Sequence, residues 1–374
     1  MSLPTITSPL RVGKLDLKHR VVLAPLTRYR ADDDHVPLDI VREYYAQRAS
    51  VPGTLLVSEG TFISARAGGM NNVPGIWNEA QIQQWKTITD AVHARGSYIF
   101  CQLWALGRAA QPEVLAKDGY EVISSGNIPM SEDSTAPRPL SKQEIQSWVE
   151  DYATAARNAI AAGFDGVEIH GANGYLCDQF LQDTCNNRDD EWGGSVEKRS
   201  RFGLEVAKAV SAAVGPDRTG YRISPWSTFQ GMRMQDLQAQ FTWFVGQLRP
   251  LGLAYLHVVE PRISGSATVE GDQEDHEFLL KAYSSDRPII LAGGFSAESA
   301  EKMIQAHSTY KIAIGFGRHF IANPDLPFRL AKGIALRNYD RNTFYTPKSP
   351  IGYVDLPFSE EFAAYSTTQQ PALG

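Results

Sequence analysis

The stretch GVEIHGANGYLCDQF, residues 166–180, decides how this chain reads. GVEI is a short apolar run of strand type that ends in His170, and Asn173 and Tyr175 follow within five positions. Successive side chains of a strand point to opposite faces. Glu168 and His170 therefore share one face, and Val167 and Ile169 share the other. The same parity sets Phe100, Gln102 and Trp104 of SYIFCQLW (97–104) against Cys101 and Leu103. It also sets Arg222 of TGYRISP (219–225) against Tyr221 and Ile223.

Runs of this kind recur on either side. RVVLAP (20–25), GTLLVSEGTF (53–62), AYLHVVE (254–260), PIILAGG (288–294) and KIAIGFGR (311–318) bring the strand candidates to eight. Amphipathic helical stretches at 38–50, 81–95, 141–162, 197–213, 235–249, 275–284, 297–306 and 325–335 lie between most of them. Ser141 with Glu144, and Ser296 with Ser299, have the spacing of helix starts. Strand and helix in alternation imply βαβ units and a parallel sheet. Eight such units predict an α/β fold, a single (β/α)8 TIM barrel over residues 1–374, rather than an open doubly wound sheet. No GxGxxG follows the first strand, which weakens the dinucleotide-binding alternative. PLRVGKLDL (9–17) reads as an N-terminal hairpin that caps the bottom of the barrel. Residues 105–140, rich in Gly, Pro and Ser, form a long loop excursion after strand three: a lid, a substrate-shaping segment or plain irregular surface. Residues 359–374 are a C-terminal tail.

Composition narrows the partners. The formal net charge is −6 and no dense Lys/Arg block is present, which argues against nucleic acid or an acidic membrane surface. The first residues, MSLPTITSPL, lack the basic-then-apolar pattern of a signal peptide. No run approaches the ~20 apolar residues that cross a bilayer. Three cysteines without CxxC spacing fit ordinary thiols in a reducing, cytoplasmic setting.

If the apolar strand faces pack on the helices, Gln102, Glu168, His170 and Arg222 turn into the barrel. A barrel built for stability alone fills its interior with branched apolar side chains. Polar groups buried without partners cost about 1–3 kcal/mol each or more, so this set requires a ligand or an internal network. A Glu168–Arg222 salt bridge between adjacent strands would account for two of the four. Other features fall at strand C-terminal ends, where barrel enzymes keep their sites. Thr27 and Gly60 follow the first two strands, AGG (292–294) ends the seventh, and GFGR (315–318) ends the eighth. Glycine N–H groups after strands seven and eight, with Arg318, suit a phosphate, carried by a substrate or a cofactor.

Taken together, APLTRYRA (24–31), SEGTFISARAGG (58–69), CQLWALGR (101–108), GFDGVEIHGANGYLCDQFL (163–181), RISP (222–225), LAGG (291–294), IGFGRHFIANPDLPFRL (314–330) and YDRNTFY (339–345) resemble the Old Yellow Enzyme family of FMN-dependent NAD(P)H ene-reductases. The resemblance covers residues 8–358, and EYYAQRASVPGTLL (43–56) is most similar to fungal members, including those of alkaloid pathways. It implies FMN as cofactor and NADPH (or NADH) as reductant. It further implies a small α,β-unsaturated carbonyl substrate and a monomer or homodimer. Carried over by position, it implies that Thr27 and Gln102 bond the flavin ring and that Arg222 faces its N1 and O2. Pro25, Leu26 and Gly60 would line the ring, Gly293, Gly294, Gly317 and Arg318 would hold the phosphate, and Phe344 and Tyr345 would close one end. Substrate-pocket positions would be Met70, Trp104, Phe229 and Ala267. Met70 stands where several members carry a tyrosine, and Ala267 where some carry an aromatic residue, so the substrate site is altered or enlarged.

The resemblance answers what His170, Asn173 and Tyr175 do at the end of a strand. His170 and Asn173 would donate to the substrate carbonyl, so that hydride from flavin N5 reaches the β-carbon, and Tyr175 would protonate the α-carbon. Asn173 needs no proton to donate, so carbonyl binding is expected to persist as His170 titrates. Each residue has a plainer reading: a strand-end histidine satisfied by backbone, a tyrosine anchoring a short helix, and for Trp104 a core aromatic. Asp189, Asp190, Arg199 and Arg201 look catalytic by charge but fit an ion network at a helix start. Alternatives for the reaction are alkene isomerisation or dienone chemistry on the same flavin, and a flavin-free phosphate-binding lyase. The last wants a strand-end lysine, and none is evident.

Overall fold

The computed structural model describes residues 5–265, 267–268 and 276–369. Residues 1–4 of the N-terminal stretch and the last five of the C-terminal tail lie outside these. Eight parallel strands close into one barrel: β1 (Val21–Leu23), β2 (Leu55–Phe62), β3 (Tyr98–Trp104), β4 (Gly166–Gly171), β5 (Thr219–Ile223), β6 (Tyr255–Val259), β7 (Pro288–Ala292) and β8 (Lys311–Phe316). They neighbour one another in chain order around the ring, as right-handed βαβ crossovers produce. Seven lie within runs identified from sequence, and β4 extends one residue past its own, to Gly171. Helices α1 (Asp39–Arg48), α2 (Glu79–His93), α3 (Lys142–Ala161), α4 (Val196–Val214), α5 (Leu237–Leu248), α6 (Glu277–Tyr283), α7 (Ala297–Ala306) and α8 (Leu326–Lys332) alternate with them. Both expected helix starts are capping boxes, Ser141 with Glu144 and Ser296 with Ser299.

Strand parity holds. Cys101, Leu103, Val167, Ile169, Tyr221 and Ile223 pack in the core between barrel and helices. Phe100 belongs instead to a separate cluster inside the barrel, with Val22, Val57, Tyr255 and Ile290. The hairpin Leu10–Val12 with Leu15–Leu17 closes that cluster from below through Leu10, Val12 and Leu17. Its turn residue Gly13 has φ +54, and a Cβ there would come within 2.0 Å of the Asp217 carbonyl. The bottom of the barrel interior is thus plugged with apolar side chains, and its upper end is left open.

The excursion at 105–140 is more ordered than loop composition suggests. It contains a short helix, Pro112–Leu115, and a parallel pair of two-residue strands, Ile123–Ser124 and Arg138–Pro139. The tail is not a plain extension either, since Glu360–Gln369 is helical. Before α4 the expected ion network takes other partners: Arg188 meets Asp190 at 2.8 Å and Lys142 meets Glu191 at 2.6 Å. Arg199 instead donates to Gln240 (2.9 Å), and Arg201 lies over the Trp192 ring. No helix among the described residues is long and apolar enough to cross a membrane.

Candidate active site

At the C-terminal end of the strands the barrel opens into a cavity of about 730 Å³. Its floor and walls include Gln102, His170 and Arg222, which parity had turned inward, and the residues at the ends of β1, β2, β7 and β8. Pro25, Leu26, Thr27, Gly60, Gly293, Gly294, Gly317, Arg318, Phe344 and Tyr345 all line it, as do Met70, Trp104, Asn173, Tyr175 and Phe229. Ala267 does not. It is exposed on the two-residue strand Ala267–Thr268, and because side chains alternate along a strand its neighbour Thr268 faces the cavity instead. Thr268 also accepts a hydrogen bond from Arg318 at 3.0 Å.

The turn after β4 is held from several sides. Asn173 has φ +57, a conformation tolerated by asparagine better than by most residues. Its N–H donates to the Ser224 hydroxyl at 2.7 Å, fastening the turn to the residue after β5. The Gly174 N–H donates to buried Asp178 (2.9 Å), and Gln179 donates to the carbonyls of Gly174 and Leu106, both at 2.8 Å. Tyr175 then sits at the N-cap of Leu176–Leu181, the short helix that the plainer reading foresaw, yet its ring still borders the cavity.

The electrostatics of these side chains follow from burial. His170 is 5% exposed, and burial, followed by the Arg222 charge, holds its pKa well below the ordinary 6.5. The imidazole is therefore neutral at physiological pH. Its Nδ1 accepts from the Ala172 N–H at 3.4 Å, which leaves Nε2 to carry the ring proton. Burial likewise raises Tyr175 well above a phenol's usual 10. Asn173 Oδ1 and Trp104 Nε1 are buried without hydrogen-bond partners among the described residues.

Below the cavity lies the group that parity addressed only in part. Glu168 accepts from Gln102 Nε2 at 2.8 Å and pairs with His257 Nδ1 at 2.8 Å. The expected Glu168–Arg222 salt bridge is replaced by this arrangement. His257 escaped the sequence reading, although parity in AYLHVVE puts it on the face of Tyr255. Tyr29 was also missed; it lines the cavity two positions after Thr27 and directs its hydroxyl to Met70 Sδ at 3.8 Å. Phe344 and Tyr345 reach the cavity on a segment whose carbonyls are gripped from behind. Arg28 donates to Phe344 (3.0 Å) and Gly352 (2.9 Å), and Arg30 to Ser349 (2.9 Å), Phe344 (3.0 Å) and Thr343 (3.2 Å).

The cavity suits an anionic, planar cofactor. Arg222 and Arg318 line it, and among the described residues no lining side chain is Asp or Glu. Arg222 Nε is buried with no hydrogen-bond partner among the described residues. Space for a flat ring depends on Gly60, where a Cβ would come within 2.5 Å of Trp104. Gly293 and Gly294 have φ +146 and +63, conformations that keep side chains out of the loop beside Arg318.

Fold and site together define a flavin-binding barrel oxidoreductase, and comparison with known proteins agrees. Residues 5–337 match the NADH:flavin oxidoreductase / NADH oxidase family. The chain belongs to that family: it is an FMN-dependent oxidoreductase of the Old Yellow Enzyme type. It is 58% identical over 357 residues to chanoclavine-I aldehyde reductase fgaOx3 of Penicillium roqueforti (strain FM164), covering 95% of this chain and 96% of that one. It is 51% identical over 362 residues to the NADP-dependent oxidoreductase lnbE of Aspergillus flavus, covering 95% and 96%. Among solved structures, Old Yellow Enzyme from Pichia sp. AKU4542 superposes with a TM-score of 0.88 at 37% identity, covering 95% of this chain and 94% of that one.

Proposed function

We propose that this protein is an NADPH-dependent ene-reductase acting on a small α,β-unsaturated aldehyde or ketone. The observation that carries the reading is the meeting of three groups of suitable chemistry beside one cavity: neutral His170, Asn173, and protonated Tyr175. FMN, when bound, supplies the reversible hydride chemistry that links nicotinamide to alkene.

The protein's own residues divide the remaining work. His170 Nε2–H and the Asn173 amide donate to the substrate carbonyl, polarising the alkene and stabilising negative charge that grows on oxygen. A donor of this kind is worth roughly 3 kcal/mol. Tyr175, still carrying its proton, delivers it to the α-carbon, a step worth ~10²–10⁴-fold. Gln102, Thr27 and Arg222 orient and charge-balance the ring, with Pro25, Leu26 and Gly60 against it. Gly293, Gly294, Gly317 and Arg318 take the phosphate, while Phe344 and Tyr345 close the pocket end. Met70, Trp104 and Phe229 shape the substrate side. One cavity serves nicotinamide and substrate in turn, so the kinetics are ping-pong. A proton donor in this position favours net reduction over isomerisation. The relative named an aldehyde reductase supports an aldehyde carbonyl in the substrate, and the NADP-dependent relative supports NADPH.

The test is a visible spectrum of the purified protein, followed anaerobically by NADPH and then 2-cyclohexenone. Flavin bands that bleach with NADPH and return with the enone are expected. A colourless protein that takes up no FMN, or bands that the enone fails to restore, would overturn the reading.

A further inference from the structure

Glu168 and His257 lie beneath the cavity and line none of it, yet both are completely buried. In the strand register Glu168 on β4 faces Gly220 on β5, which in turn faces Tyr255 on β6. One step higher, His170, Arg222 and His257 form the next row. Gly220 has no side chain, so Glu168 reaches past β5 to His257 while the Tyr255 ring fills the space that a Cβ at Gly220 would need.

Both carboxylate oxygens are engaged. Oε1 accepts from Gln102 Nε2 and Oε2 pairs with His257 Nδ1, each at 2.8 Å. The first bond settles the Gln102 amide: with its NH₂ turned down to Glu168, the amide oxygen is the end left for the cavity. The Gln102 backbone is fixed as well, since its N–H donates to the Ser58 hydroxyl at 3.0 Å. Arg222 makes no ion pair among the described residues, and the carboxylate whose field acts on it is Glu168. A buried guanidinium without an opposing charge is expensive. Glu168 therefore offsets the Arg222 charge at a distance while its own oxygens are held by Gln102 and His257.

We propose that Glu168 is a positioning residue for the flavin: it fixes the Gln102 amide oxygen toward the cavity and, by opposing the Arg222 charge, lowers the midpoint potential of the bound cofactor. The inference rests on the reading of Gln102 and Arg222 as the floor of the flavin pocket. Arg222 favours a ring that carries negative charge after reduction, and Glu168 opposes it. Removing the carboxylate charge moves the floor from near neutral to net positive, and the reduced cofactor gains affinity relative to the oxidised one.

The test is spectroelectrochemical titration of the full-length, FMN-reconstituted protein, with FMN dissociation constants, for wild type, Glu168→Gln and Glu168→Asp. Glu168→Gln keeps the shape and loses the charge. Its affinity ratio for reduced over oxidised FMN should rise at least tenfold, a positive shift of about 30 mV for a two-electron couple. Glu168→Asp keeps the charge and shortens the reach to Gln102. It should bind oxidised FMN several-fold more weakly with its potential near that of wild type. An unchanged potential in Glu168→Gln overturns the proposal, because a merely structural group would leave the potential alone. If Glu168→Gln fails to fold, Glu168→Asp decides: a potential moved upward without weaker binding overturns it. A wild-type protein that binds no FMN overturns the pocket reading itself, and this inference with it.

Discussion

Tyr175 presents its ring to the edge of His170, with centroids 4.9 Å apart and planes at 72°. Trp104 lies against both, stacked near His170 at 5.9 Å and edge-on to Tyr175 at 4.8 Å. The two side chains come from opposite ends of one short turn, and their contact places an imidazole and a phenol beside the same cavity.

Replacing Tyr175 by Phe removes the proton donor and keeps the ring contacts. Flavin reduction by NADPH should be unchanged, and reoxidation by 2-cyclohexenone should slow by ~10²–10⁴-fold. Stopped-flow measurement of the two half-reactions separates them. Loss of the NADPH half-reaction with alkene turnover intact would contradict the role given to Tyr175.

The pair His170 and Asn173 is tested by replacing both with Ala. The variant should retain FMN and its yellow colour. Its long-wavelength charge-transfer band on adding a phenol should disappear, since two donors worth roughly 3 kcal/mol each are gone. A band of undiminished intensity in the double variant would count against carbonyl recognition by these residues.

Burial keeps His170 neutral, its pKa lying below the ordinary 6.5. Raising the pH through the usual histidine range, about 5.5 to 8, should therefore leave the affinity for a non-ionising enone unchanged within about twofold. Binding measured by flavin absorbance across that range checks it. A fall in affinity centred near the ordinary histidine pKa would show that the imidazolium is the donor.

Asp178, which holds the Gly174 N–H, has its pKa raised to about 7 by burial. Between the ordinary carboxylate value and about 7 the unfolded chain has released this proton and the folded chain has kept it. The contribution of Asp178 to stability must then decline as pH rises through that window, by at most about 1.4 kcal/mol per unit. Denaturant unfolding of wild type and Asp178→Asn at several pH values isolates it. The wild-type stability minus that of the variant should fall with pH and level off above about 7; a rising difference would reject the assignment.

Arg30 grips the segment that carries Phe344 and Tyr345. In Arg30→Met the Ser349 and Thr343 carbonyls lose this donor while Phe344 keeps Arg28, at about 1–3 kcal/mol for each left unpaired away from water. Both thermal stability and FMN retention on gel filtration should drop. A variant as stable and as yellow as wild type would show that the segment holds itself in place.

Much of this was legible in the chain. The eight strands and their helices announce themselves because alternation and amphipathic spacing are local properties. Strand parity was enough to send Gln102, Glu168, His170 and Arg222 inward before any contact was known. Parity gives a face, however, and not a partner. Glu168 turned to His257 and Gln102 rather than to Arg222, because Gly220 left a passage across β5 that only the register reveals. Ala267 lay beyond such reasoning for the same reason. It sits on a two-residue strand in a loop, where no run is long enough to fix which residue faces in, and Thr268 took the place expected of it.

The sequence by itself determined the barrel, its plugged bottom and the identity of the chemical groups at its upper rim, since these depend on periodicity and on residue type. Tertiary structure alone decided their protonation and their partners. His170 is a neutral donor through Nε2 because the closed barrel removes it from water and because the Ala172 N–H occupies its other nitrogen. Desolvation and hydrogen-bond geometry are properties of the assembled whole, and no stretch of chain carries them alone.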